Sequence, residues 1–144
     1  MSKHLTILVG SVLGASEYVA DALAEVAQKA GYETDIKLTP DLKSIEPGST
    51  WVICTSTHGA GDLPDNIAPF ASQLKGADLS QVNAYLVGLG DSSYDTYCFG
   101  AMTMQKLLEE GGATLLHAPL HIDVLNHPIP EDKAVEWFEG VLPA

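Results

Sequence analysis

The chain has 144 residues and a net charge of −12, with seven lysines and no arginine. A nucleic-acid binder needs a basic face, and this composition excludes one. The length suits a single domain over 1–144, which at this size hides roughly 70% of its unfolded surface and needs no disulfide staples.

Met1-Ser2-Lys3-His4 runs straight into apolar sequence with no secretory leader, so the chain is expected in the cytoplasm. No run of about 18 apolar residues follows anywhere, so no membrane span is expected. Leu5–Val9 is a nearly continuous apolar run, which predicts a strand buried on both faces. A turn of small residues follows, Gly10-Ser11-Val12-Leu13-Gly14-Ala15-Ser16. Val19, Leu23, Val26 and Ala30 then recur at helical spacing and predict a helix over Glu17–Ala30, ended by Gly31. Glu25 and Lys29, in the favourable order four apart, lie on its solvent side. Tyr32–Leu38 alternates weakly, as an edge strand does. Pro40–Ser49 is a polar connection that turns at Pro47-Gly48.

Trp51–Cys54 is the next buried strand and opens into the long polar loop Thr55–Asn66. Ile67, Phe70 and Leu74 predict a short helix, closed by Gly76, with Pro69 tolerated in its first turn. Ala84–Leu89 is a third buried strand, opening into Gly90–Cys98. Ala101, Met104, Leu107 and Leu108 mark a helix that stops at Gly111-Gly112. Thr114–Leu116 and Leu120–Leu125 read as one last strand interrupted at Pro119. The final helix has Pro130 in its first turn and Glu131 and Asp132 at its positive end. Its core face carries Val135, Phe138, Val141 and Leu142.

Strands and helices alternate, which predicts an α/β three-layer sandwich. Its five-stranded parallel sheet would run in the order 2-1-3-4-5, with helices on both faces. Ligands bind such sheets beyond the carboxyl ends of the strands, where the winding reverses. Here the reversal falls between the first strand and the Trp51 strand. Loops 10–16, 55–66 and 90–98 all leave that end.

The first loop aims backbone N–H groups and a positive helix end at one point, an arrangement that favours phosphate. Its alternative is a plain serine-capped helix start. It lacks the lysine of a Walker loop, and no arginine is present to clamp an anion. Phosphate would be held by backbone N–H and by the hydroxyls of Ser11 and Ser16. His58 and Tyr94 put one flat side chain on each of the other loops, and Tyr97 adds another ring. Two flat groups on adjacent loops can sandwich a planar heterocycle. A phosphate beside a flat ring describes a mononucleotide cofactor.

On these residues the chain resembles the flavodoxin family, most closely its short MioC-type members. Gly10–Glu17 resembles the family's phosphate loop, Ser56–Asn66 its second flavin loop and Gly90–Cys98 its third. The resemblance covers the whole length. It implies a flavodoxin-like fold and non-covalent FMN. It also implies a carrier without turnover of its own, moving single electrons between a reductase and an acceptor enzyme, with a link to biotin synthesis. Carried over by position, Ser11, Val12, Leu13, Gly14, Ala15 and Ser16 wrap the phosphate. Ser56, Thr57, His58, Gly59, Ala60 and Gly61 form the inner loop, with His58 against the inner ring face and the Gly59 carbonyl able to turn toward flavin N5. Gly90, Asp91, Tyr94, Tyr97 and Cys98 form the outer loop. There Tyr94 stacks on the outer face, and Asp91 and the Cys98 backbone meet the pyrimidine edge.

Two departures from the family pattern predict weaker binding. Val12 and Leu13 stand where many flavodoxins have threonine, and each lost hydroxyl removes about 0.5–1.5 kcal/mol. His58 covers less ring than a tryptophan-like stacker. Acids such as Asp62 and Asp91 would disfavour a reduced, anionic flavin and lower the potential of the last reduction step. Docking by charge calls for redox partners with basic surfaces.

The competing enzyme reading is an FMN-dependent NAD(P)H quinone or nitro reductase. It would need a cationic site for the nicotinamide cofactor's phosphates, and Tyr94 would stand over the ring. A phosphoryl receiver needs acids at the end of strand one, where Val9-Gly10-Ser11 has none. A cofactor-free interaction domain is the third reading. His117 and His121 have a zinc-like spacing only on a helix, and Pro119 lies between them. Cys98 has no cation beside it to activate the thiol, so a structural role is expected. Cys54, Trp51 and Trp137 read as packing.

Overall fold

The computed structural model describes residues 4–11, 14–46, 48–58 and 61–142. The apolar run at the N-terminus forms β1 (His4–Gly10), followed by α1 (Ala15–Lys29), β2 (Glu33–Lys37), β3 (Thr50–Thr55) and α2 (Ala68–Leu74). Then come β4 (Asn83–Gly90), α3 (Phe99–Glu110), β5 (Thr114–Leu115), β6 (Leu120–Asp123) and α4 (Pro130–Val141). A short 3₁₀ turn, Leu42–Ser44, lies inside the polar connection after β2, with the Asp41 carboxylate accepting from Lys43 N. Periodicity gave no sign of this turn.

The sheet is parallel throughout, in the order β2-β1-β3-β4-β5, and β6 also pairs with β4. The expected last strand is two strands. β5 pairs with Asn83 and Ala84 at the start of β4, and β6 pairs with Val87–Gly90 at its end. Both lie on the edge of β4 that β3 leaves free. The break has a local cause, because Pro119 cannot donate to a ladder and the chain detours over 116–119.

Alternate residues of the central strands feed two cores. Leu5, Ile7, Val9, Val52, Cys54, Tyr85, Val87 and Leu89 face one layer, with α1 and α4. Leu8, Trp51, Ile53, Ala84 and Leu86 face the other, with α2 and α3. Both faces are covered, so the strands read as unbroken apolar runs. On α4, Ala134 takes the fully buried position beside Phe138, Val135 is half-buried, and Leu142 packs from just beyond the helix end. Trp51 packs on Phe70 with centroids 5.6 Å apart, and Trp137 stacks on Phe138 at 6.1 Å. Burial pushes the Cys54 thiol up to about 12, which keeps it neutral in the core. Among the described residues no helix is long and apolar enough to cross a membrane.

Candidate functional site

The register brings the strand ends together. Gly10 pairs with Thr55, Thr55 with Gly88, and Gly90 with Asp123, so the turns after β1, β3 and β4 leave the sheet side by side. Ser56 N donates to Gly10 O at 2.9 Å and ties the second turn to the first. Gly100, in the first turn of α3, ties the third to the second: its N–H donates to Thr57 Oγ1 at 2.9 Å. A Cβ at Gly100 would stand 2.6 Å from Ser56 O, so only glycine permits this approach.

A cavity of about 370 Å³ lies where the turns meet. It is lined by Ala15 from α1, Ser56 and Thr57 from the second turn, and Leu89, Gly90, Asp91, Tyr94, Thr96, Tyr97 and Cys98 from the third, with Val124 beyond β6. Most of this lining is apolar or aromatic with a few polar groups, the usual character of a cofactor site. Eight of the residues singled out from sequence line it: Ala15, Ser56, Thr57, Gly90, Asp91, Tyr94, Tyr97 and Cys98. Tyr94 is 66% exposed, a ring held at the mouth rather than packed in a core.

The first turn ends at the start of α1. Gly14 is the residue before α1 and adopts the left-handed conformation, φ 93°, that a side chain disfavours. Its N–H donates to Ser11 Oγ at 2.7 Å. Among the described residues no side chain caps α1, in place of the serine cap that is the alternative, and Ala15 and Ser16 form the first turn of the helix itself. Ser16 is fully buried there, and its Oγ has no partner among the described residues. An uncapped helix start beside a buried, unpartnered hydroxyl suits the phosphate of a mononucleotide. The aromatic-rimmed cavity next to it suits the ring, so the residues present fit FMN.

His58 stands apart from this cavity. Its backbone pairs with Asp62, at 2.7 and 2.8 Å, and it lines a second cavity of about 260 Å³ with Ser11, Asp65 and Asn66. His58 and Tyr94 therefore border different spaces. Gly61 closes the same turn against the Phe99 ring. Val12, Leu13, Gly59 and Ala60 lie outside the described residues.

The third turn is held by two carboxylates. Asp91 Oδ1 accepts from Ser93 N at 2.8 Å and from the Ser93 hydroxyl at 2.6 Å. Asp123 accepts from Ser92 N, Leu125 N and Asn126 Nδ2 at 3.1, 3.0 and 2.8 Å. The bond from Ser92 leads in holding its carboxyl below the usual range. Burial pushes the Tyr97 phenol up to about 12 and the Cys98 thiol up to about 11, so both stay uncharged near neutrality. Cys98 takes the left-handed position before α3, φ 55°, and is fully buried. His121 packs edge-on to Tyr97 at 6.3 Å, and burial lowers its pKa, whereas His117 packs on Trp137 at 5.9 Å.

Two residues that sequence reasoning left without a role hold the site's frame, Asn66 and Asp123. Asn66 Nδ2 donates to Val9 O and Leu38 O, both at 2.8 Å, and its Oδ1 accepts from Ser11 N at 2.9 Å.

A family model described as Flavodoxin matches residues 7–138. The chain belongs to the flavodoxin family, whose cofactor is FMN, and it is an FMN-binding electron carrier. Within the family it is of the short MioC type. It is 42% identical over 136 residues to Protein MioC of Escherichia coli (strain K12), covering 93% of this chain and 92% of that one. It is 43% identical over 141 residues to the Protein MioC homolog of Haemophilus influenzae, covering 96% and 97%. Among solved structures, a point mutant of flavodoxin from Pseudomonas aeruginosa matches with a TM-score of 0.87 at 30% identity over 95% of each chain.

Proposed function

We propose that the chain works as one FMN-binding domain that carries single electrons from a reductase to an acceptor enzyme in the cytoplasm. The observation that carries this reading is the uncapped start of α1, with the buried Ser16 hydroxyl beside it, opening next to the cavity rimmed by Tyr94. When bound, FMN supplies the one-electron redox chemistry. The protein's residues place it and set its surroundings.

Ser11, Val12, Leu13, Gly14, Ala15 and Ser16 hold the phosphate through N–H and hydroxyl groups. Tyr94 covers the outer ring face and keeps water from it. Ser56, Thr57, Gly59, Ala60 and Gly61 form the inner wall, and the Gly59 carbonyl is the group within the family pattern that can meet N5. Gly90, Asp91, Tyr97 and Cys98 meet the pyrimidine edge. Tyr97 and Cys98 bring no charge there, because burial keeps both protonated. His58, which borders the smaller cavity, covers the inner ring face. The acidic surface selects redox partners with basic docking patches. The MioC-type relationship supports an acceptor in biotin synthesis.

Anaerobic titration of the FMN-loaded chain tests this reading. Reduction is expected in two resolved one-electron steps, with no steady oxidation of NADPH by the protein alone. Tyr94→Ala is expected to weaken FMN binding about tenfold, in line with loss of an aromatic ring contact. Sustained NADPH consumption without a partner would instead make the protein a reductase.

A further inference from the structure

We propose that Asn66 is the positioning residue that gives this site its preference for a phosphorylated flavin. The inference rests on the reading that the turn after β1 takes the phosphate. Asn66 comes from the loop ahead of α2, yet its amide reaches three other stretches of chain. Its Nδ2 donates to Val9 O near the end of β1 and to Leu38 O just after β2. Its Oδ1 accepts from the N–H of Ser11, the first residue of the turn. One side chain thus joins the ends of two neighbouring strands to the turn that leaves one of them.

The hydrogen bonds continue from there. Once Ser11 N is fixed, its hydroxyl accepts from Gly14 N, and Gly14 is the left-handed residue that starts α1. Asn66 therefore orients Ser11, Ser11 orients Gly14, and Gly14 aims the first turn of α1. Two further effects point the same way. The amide's donors satisfy two strand-end carbonyls that would otherwise lack a partner from this side chain. A carboxylate at the same position would lose both donors and add a charge.

Asn66 does not line the 370 Å³ cavity. It lines the smaller one, with Ser11, His58 and Asp65. Its loss should therefore act chiefly on the phosphate, through Ser11 and Gly14, and leave in place the contacts that Tyr94 and the larger cavity make with the ring. An effect through general stability would weaken both flavins alike.

The test compares FMN with riboflavin, which has the same ring and no phosphate. Dissociation constants are read by quenching of flavin fluorescence for the full chain, Asn66→Ala and Asn66→Asp, with thermal melts of each apo-protein alongside. The wild type is expected to prefer FMN. Asn66→Ala is expected to weaken FMN at least about tenfold and riboflavin less than about twofold. Asn66→Asp should lose at least as much FMN affinity, and being isosteric it carries the test if the alanine variant fails to fold. Proportional weakening of both flavins, or an FMN preference intact in the variants, overturns the role of Asn66 while leaving the site reading untouched. A wild type that binds riboflavin as tightly as FMN overturns the phosphate reading beneath it, and the proposal with it.

Discussion

Asp123 shows how one side chain braces the outer wall of the site. It ends β6, and its two oxygens gather the N–H of Ser92, the N–H of Leu125 and the amide of Asn126. Those bonds hold its carboxyl below the ordinary 3.8. A lowered folded-state pKa means that its stabilising effect is complete above the unfolded value and fades as pH falls through the folded one. The wild type is therefore expected to melt earlier as pH drops below the ordinary 3.8, and Asp123→Asn to lose part of that acid dependence. Thermal melts from neutrality into acid check this, and identical pH profiles for the two proteins would refute it. Neither Asp123 nor Asn66 could be assigned from sequence. Ser92 lies 31 residues from Asp123, the partners of Asn66 lie 28 to 57 residues away, and a lone polar residue carries no signal for a partner that distant. Tyr94 was legible because a large ring in a polar loop has no local packing to explain it.

Among the elements, the buried strands and the amphipathic helices could be read directly, since parallel strands covered on both faces and helices covered on one leave different periods. The sheet order followed from the alternation of types and from the edge-like β2. What local pattern could not show was competition between neighbours. The segment after α3 has strand character on either side of Pro119, and only its pairing with both ends of β4 reveals two strands. The start of α1 moved for a similar reason. Ser16 has the chemistry of a cap, but Gly14 takes the left-handed turn and carries Ala15 and Ser16 into the helix, which leaves the Ser16 hydroxyl buried and without a partner. The family pattern assigns His58 to the inner ring face; its backbone pairs with Asp62, and it borders the smaller cavity with Asn66.

For the whole molecule, nineteen acids against seven lysines give a negative field, screened by salt, on which the proposed docking of basic partners depends. Electron delivery to a biotin-forming enzyme supplied as acceptor is expected to slow severalfold as ionic strength rises from about 0.05 to 0.5 M. A rate indifferent to salt would remove docking by charge, and no delivery at all would remove that acceptor. The fold serves the site in a simple way: the winding reverses between β1 and β3, and that reversal opens the space where three turns meet. The most direct test of the account is a crystal structure of the FMN-loaded protein. The ring is expected in the cavity between the second and third turns under Tyr94, with the phosphate at the start of α1 against Ser16. A flavin bound elsewhere, or a phosphate pointing away from α1 into solvent, would contradict it.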